Sequence, residues 1–404
     1  MGRHVGNSVV LLLLQIILLL IEDTLCQCSP TENVCEFWWH VDYNLTMMSG
    51  SDLVYPYNRQ LYKFDDDNRA NAMPLDNVII GDGWETHRKV TVINGKMPGP
   101  SIIASHQQTI VVNVKNNLPD AGVTIHWHGL DQFGTPWMDG VSMIIQCPIL
   151  PHQSFKYTFK ASEIGTFWYH SHVGSQRTNG LYGALIIKNA SKAYLEEFTV
   201  HVTEWNHDMD ADTAFLKGET RFYEGRHNLS NIRSLDDNSM PVHVESVLID
   251  GRGELNTNSS NITSTPPLTE YNVQKGMRYR FRIIGVGVAV SFRVSIDHHP
   301  LTVVASDGYE LETVEVESIV INTGERIDFD ITADQTVGNY WLRAVALIEG
   351  EPNGRAIVRH HGAQVGDPKT ERKPCITNVL YSTVPLPNTL ASLYQEFDVF
   401  ISVN

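Results

Sequence analysis

Basic side chains are scarce in this 404-residue chain: 30 Lys and Arg stand against 46 Asp and Glu, a formal net charge of −16. That balance repels phosphate backbones and argues against nucleic-acid binding, while it suits a soluble surface and neutral or cationic small substrates. Long apolar runs are missing too, apart from Val9–Ile21, which is shorter than the ~20 residues of a comfortable membrane span. No G-x-S-x-G elbow occurs, so a serine hydrolase finds no support. Gly285-Val286-Gly287 lacks the third glycine and the following helix of a dinucleotide site.

The Val9–Ile21 run follows a short basic start at Arg3 and His4 and precedes Thr24 and Cys26, residues small enough for a cleavage site. Residues 1–26 therefore read as a secretory signal peptide, with an uncleaved signal anchor as the alternative. Secretion agrees with Asn-x-Ser/Thr acceptors at Asn44, Asn189, Asn228, Asn258 and Asn261. Of the 5 cysteines, Cys28, Cys35, Cys147 and Cys375 lie beyond this segment. An oxidising compartment makes Cys28–Cys35 a local bridge, whereas Cys147 and Cys375 are far apart and are left open to pairing together or with outside partners.

The remaining ~380 residues would make two to three domains of ~100–150 residues each. Residues 27–87 show no sustained period of 2 or 3.6 and carry the solvated run Asp65–Arg69, so they read as an N-terminal extension laid over the first domain. From Lys89 short β-branched runs alternate with turn residues: Val90–Ile93, Asn94-Gly95, Ser101–Ile103 and Thr109–Val114. The second half repeats this texture. Val247–Ile249 leads into Asp250-Gly251, the run Arg278–Ile283 alternates arginine with apolar residues as a half-buried strand does, and Phe292–Ile296, Leu301–Val304, Ile319–Ile321 and Ile327–Ile331 follow. The spacing predicts an all-β chain, one sandwich over 88–192 and another over 193–365.

Two histidine pairs carry the chemistry, His126-Trp127-His128-Gly129 and His170-Ser171-His172. In a strand, residues i and i+2 project from one face about 7 Å apart, so each pair presents two imidazoles to one region. Neutral imidazoles without thiolate or carboxylate favour a nitrogen-ligated transition metal over calcium or magnesium. Trp127 and Ser171, lying between the ligands, point the other way, and Gly129 leaves room beside the cluster. Where the first unit has its histidine pairs, the second offers Ser291-Phe292-Arg293 and the doublet His298-His299 before Pro300; adjacent strand residues face opposite ways, so the doublet is a poor chelate and the second unit reads as structural.

Ile125–Gly129, Gly134-Thr135-Pro136-Trp137-Met138-Asp139-Gly140, Gln146-Cys147-Pro148-Ile149, Gly165–His172 and Gly180-Leu181-Tyr182-Gly183 together resemble the first domain of the laccase-type multicopper oxidases. Tyr279–Arg282, Ser295–Asp297, Ala305–Gly308, Gly324–Phe329 and Gly338–Ala344 are similar to the second domain, most like the insect laccase branch. The resemblance implies tandem cupredoxin-like Greek-key β-sandwiches, copper as cofactor, and one-electron oxidation of phenolic or diphenolic substrates coupled to reduction of dioxygen to water. It implies His126 as a ligand of a type-2 copper, His128 and His170 as ligands of one type-3 copper, and His172 as a ligand of the other. It also implies Asp139 as a proton donor on the dioxygen path and a disulfide at Cys147 whose partner lies in a later domain.

The departure from the family is as specific. A complete member takes a further H-x-H and an H-C-H from a third domain, and this sequence has neither. Residues 366–404 accordingly read as a linker and the start of a missing third domain, and residues 1–404 alone are expected to bind copper weakly and turn over nothing. The expectation is a secreted laccase-like oxidase, cell-surface anchoring through a missing C-terminus being left open. A ferroxidase acting on ferrous iron is the alternative inside the family; a non-catalytic secreted β-sandwich is the alternative outside it.

Overall fold

A computed structural model describes residues 28–66, 69–189, 195–207, 244–255, 265–348, 350–371 and 401–402. The expected signal peptide, the acceptors Asn228, Asn258 and Asn261, residue Cys375 and most of 366–404 lie outside the described residues. The described chain is built of strands, and its one short helix, Pro136–Met138, is a single 3-10 turn.

The first sandwich packs two four-stranded sheets. One sheet orders Lys89–Ile93, Val34–Leu45, Thr109–Asn116 and Ser154–Lys160; the other orders Ile102–Ser105, Tyr182–Lys188, Gly165–Ser171 and Ile125–His128. Alternate residues of each strand turn inward, as the period-2 pattern requires. Trp39, Trp127, Tyr157, Phe159 and Tyr169 meet there, all buried. Burying large aromatics of this kind supplies most of the driving force for closing two sheets face to face.

The structure corrects the reading of residues 27–87 as an irregular extension. Val34–Leu45 is a 12-residue strand inside the first sandwich, parallel to Thr109–Asn116 and antiparallel to Lys89–Ile93. Cys28 and Cys35 are joined in a disulfide at the start of this strand. The stretch after it forms a small three-stranded sheet, Met48–Ser49, Asp52–Tyr57 and Gln60–Lys63. Arg59 at its tip is bound by Asp367, by Glu254 and by the Pro266 carbonyl of the second unit, so this segment clasps the second sandwich instead of lying over the first.

The second sandwich has two larger sheets, with Glu196–Trp205, Arg278–Gly285 and Arg326–Thr332 adjacent in one and Phe292–Ile296, Asn339–Ala346 and Asn353–His360 adjacent in the other. Arginines of Arg278–Gly285 sit opposite aspartates of Arg326–Thr332, Arg280 across from Asp330 and Arg282 across from Asp328. The half-buried expectation for this strand holds less well at Arg282, which is only 4% exposed, because the first sandwich covers it: Thr166 of Gly165–Ser171 takes a hydrogen bond from Arg282 Nη1 at 2.8 Å. An apolar contact of Trp168, Tyr182, Ala184 and Ile186 with Ile284 and Val286 completes the junction. The histidine-bearing strands of the first unit are thereby backed by the second.

Candidate metal centre

The histidine pairs lie on two neighbouring antiparallel strands, with His126 directly opposite His170 and His128 directly opposite Trp168. Directly opposed residues share a face, so three histidines and Trp168 project together. One nitrogen from each of His126, His128 and His170 lies within 4.8 Å of the others. His128 Nδ1 and His170 Nε2 are 3.4 Å apart; two nitrogens held ~2.0–2.1 Å from one tetrahedral ion would be about 3.3–3.4 Å apart. The chain leaves its strand at Ser171. His172 follows, its ring 5.6 Å from that of His126 and 5.9 Å from that of His170, outside the close three-nitrogen group.

Hydrogen bonds decide which nitrogen each ring offers. His126 Nδ1 is 2.8 Å from the Asp139 carbonyl and His170 Nδ1 is 2.9 Å from the Ser171 carbonyl. A carbonyl only accepts, so each Nδ1 carries the proton and each Nε2 keeps its lone pair for the cluster. Protonation of the rings is suppressed as well. Burial, reinforced by the Arg326 charge, pushes His128 down to about 3; burial and Arg177 hold His170 well below the usual imidazole range. Burial and the neighbouring His126 lower His172 in the same direction. A set of preoriented imidazoles, with His128, His170 and His172 held below the usual range, fits a transition-metal ion such as copper.

The residues between the ligands are placed as strand geometry requires. Trp127 enters the core against Trp39, Tyr157 and Phe159, and Ser171 Oγ donates to Gln176 Oε1 at 2.6 Å. Asp139 ends the 3-10 turn with a carboxylate oxygen 3.5 Å from His126 Nδ1. Gly140 beside it is required by close approach: its φ is +83°, and a Cβ would lie 1.8 Å from the Ile125 carbonyl oxygen of the ligand strand. Gly129 does not leave open room, because the Arg326 guanidinium of the second unit fills the space a Cβ would need. Two further neighbours were not singled out from sequence. Trp168 stacks on His128 with ring centres 4.9 Å apart, and Gly324 abuts the His128 ring edge. Alternation within the run from Trp168 to His170 carried a signal for the first; nothing local carried one for the second.

A β-sandwich whose sheet edge gathers imidazoles has a donor set that suits a transition-metal ion. Multicopper oxidase family profiles match residues 80–192 and 196–363. Laccase-1 of Cryptococcus neoformans var. grubii is 38% identical over 298 residues, covering 70% of this chain and 45% of the relative. Laccase-5 of Trametes villosa is 33% identical over 312 residues, covering 75% and 54%. Among solved structures, the laccase of Botrytis aclada superposes with a TM-score of 0.64 at 26% identity, over 86% of this chain and 56% of that one. Fet3p, described as a multicopper oxidase that functions in iron import, superposes with a TM-score of 0.63 at 23% identity over the same shares and supports the fold. The chain belongs to the multicopper oxidase family, a copper-binding oxidoreductase family of laccase type. It spans about half the length of the relatives it matches.

Proposed function

We propose that the protein is a secreted laccase-like oxidase that couples one-electron oxidation of phenolic or diphenolic substrates to reduction of dioxygen to water. The observation that carries this reading is the convergence of three imidazole nitrogens from paired strands within 4.8 Å. On it, His126 serves a type-2 copper, His128 and His170 one type-3 copper and His172 the other. Copper bound there would supply reversible one-electron chemistry between Cu(I) and Cu(II). The chain's own part is to hold the rings: the Asp139 and Ser171 carbonyls fix two tautomers, Trp168 stacks the His128 ring, and burial keeps His128 and His170 unprotonated. Asp139, its carboxylate 3.5 Å from His126 Nδ1, is assigned to holding a proton at the edge of the cluster.

The test uses the natural full-length product. Copper retained after dialysis and oxygen uptake with a diphenol are the expected results, and His128→Ala and His170→Ala should each lower copper content and abolish uptake. A product that retains no copper and consumes no oxygen with any reductant would leave a non-catalytic secreted β-sandwich. A ferroxidase is the second reading, favoured by the acidic balance of 46 to 30. Diphenol turnover without ferrous iron turnover would remove it.

A further inference from the structure

The sequence motif Gly324-Glu325-Arg326 sits in the second sandwich, which among the described residues contributes no histidine to the cluster, yet it touches His128. Gly324 has φ +84°, and a Cβ there would lie 3.1 Å from His128 Cε1 and 3.2 Å from His128 Nε2. The ring edge facing away from the other ligands therefore rests on bare backbone. Arg326 is 5% exposed. Its Nε donates to the Thr166 carbonyl at 3.1 Å and its Nη1 to the Gly324 carbonyl at 3.0 Å, so one side chain joins this turn to the strand that carries His170. Its Nη2 fills the space against Gly129, the residue after His128. Asp307 is the counter-charge, 2.8 Å from Arg326 Nη1 and 36% exposed.

The turn itself is braced. Glu325 accepts from the Asn322 backbone N–H at 2.8 Å and from Asn322 Nδ2 at 3.0 Å. Gly324 N–H donates to the Gly285 carbonyl at 2.7 Å, and Gly285 N–H donates to the Glu325 carbonyl at 2.9 Å. The guanidinium is thus fixed by a rigid frame next to a ligand ring, in a site poor in water, where a charge acts with little screening.

We propose that the Asn322–Arg326 turn of the second domain is a positioning element for the metal cluster: Gly324 seats the His128 ring, and the Arg326 charge favours Cu(I) over Cu(II) at that ligand. The inference rests on the reading of His128 as a copper ligand. Its physical basis is that a fixed positive charge opposes the higher charge of the oxidised ion, and Asp307 offsets part of that opposition. Arg326 is a positioning residue that acts from its place beside Gly129 and Gly324.

The experiment measures the ratio of Cu(I) to Cu(II) affinity of the full chain by competition with chromogenic chelators. Arg326→Gln should lower the ratio by roughly tenfold, a shift of about 59 mV for a one-electron couple, whereas Arg326→Lys should keep it within about twofold of the parent. Asp307→Asn, which removes the charge but keeps an Oδ1 able to accept from the Arg326 N–H, should raise the ratio. Opposite signs for these neutralising changes are not produced by loosening of the fold. Equal losses in Arg326→Gln and Arg326→Lys, or no change in Arg326→Gln and Asp307→Asn, would overturn the proposal. His128→Ala is the control on the underlying reading: unchanged copper affinity there removes His128 as a ligand and the proposal with it, whereas a His128-dependent affinity with an unmoved Arg326→Gln ratio refutes the proposal alone.

Discussion

The junction between the two sandwiches is held by a buried ionic chain whose disruption has a calculable cost. Lys188 pairs with Glu197 at 2.6 Å, Glu197 with Arg282 at 2.6 Å, and Arg282 with Asp328 at 2.5 Å. The Thr166 hydroxyl donates to Asp328 at 2.7 Å while accepting from Arg282 at 2.8 Å. Asp328 is 3% exposed, and burial pushes its carboxyl above the usual range against the pull of Arg282. Removing one partner of a buried pair costs about 3–5 kcal/mol, because the other charge is left desolvated. Arg282→Met strands the buried Asp328 while Glu197 keeps Lys188, and belongs near the middle, about 4 kcal/mol. Asp328→Leu leaves Arg282 with Glu197 and belongs at the lower end, about 3 kcal/mol. The double variant removes both charges and leaves Glu197 with Lys188, so its cost should fall short of the sum of the singles by about 3 kcal/mol. Urea unfolding of the four proteins measures this coupling. Single costs below about 1 kcal/mol, or additivity within about 0.5 kcal/mol, would refute the account of the junction.

Trp127 is fully buried against Trp39, Tyr157 and Phe159, so Trp127→Ala should cost about 3–5 kcal/mol in thermal or urea unfolding; a loss under about 1 kcal/mol would show that the aromatic core is not as described. Gly140→Ala meets both the +83° backbone angle and the Ile125 carbonyl, and should displace Asp139 from His126 and weaken copper binding, with dialysis against copper as the check and unchanged retention as the contrary result. His299 and His360 are both held below the usual imidazole value, first by burial. The unfolded chain takes up protons that these folded rings refuse, so the stability they contribute is present above the unfolded value and is lost as pH falls below it. Metal-free protein should lose stability between about pH 7 and about pH 5, and His360→Phe should flatten that dependence; an identical slope in the variant would contradict the assignment.

What could be read from the sequence was whatever a single strand repeats. The pairs His126/His128 and His170/His172 are visible because a period of 2 brings both members to one face, and the structure sets His126 across from His170 on adjacent strands. Val34–Leu45 obeys the same rule, with Cys35, Trp39 and Val41 buried and Val34, Glu36, Trp38 and His40 exposed. It escaped notice because Trp38 is an aromatic on the outer face, 68% exposed beside the fully buried Trp39, and an apolar residue on each face erases the alternation. Arg326 and Gly324 illustrate a different limit. The bond from Arg326 to Thr166 spans 160 positions, and it exists only once one sandwich has docked on the other. Arginine in an alternating strand carries the same local signal whether it ends in water, as its pattern suggests, or against a ligand strand, as its contacts show. The second unit was read as structural because its His298-His299 doublet is a poor chelate, but a donor count registers only atoms that bind an ion. It does not register the backbone a ring rests on or a charge held beside it, and these depend on how the two domains pack.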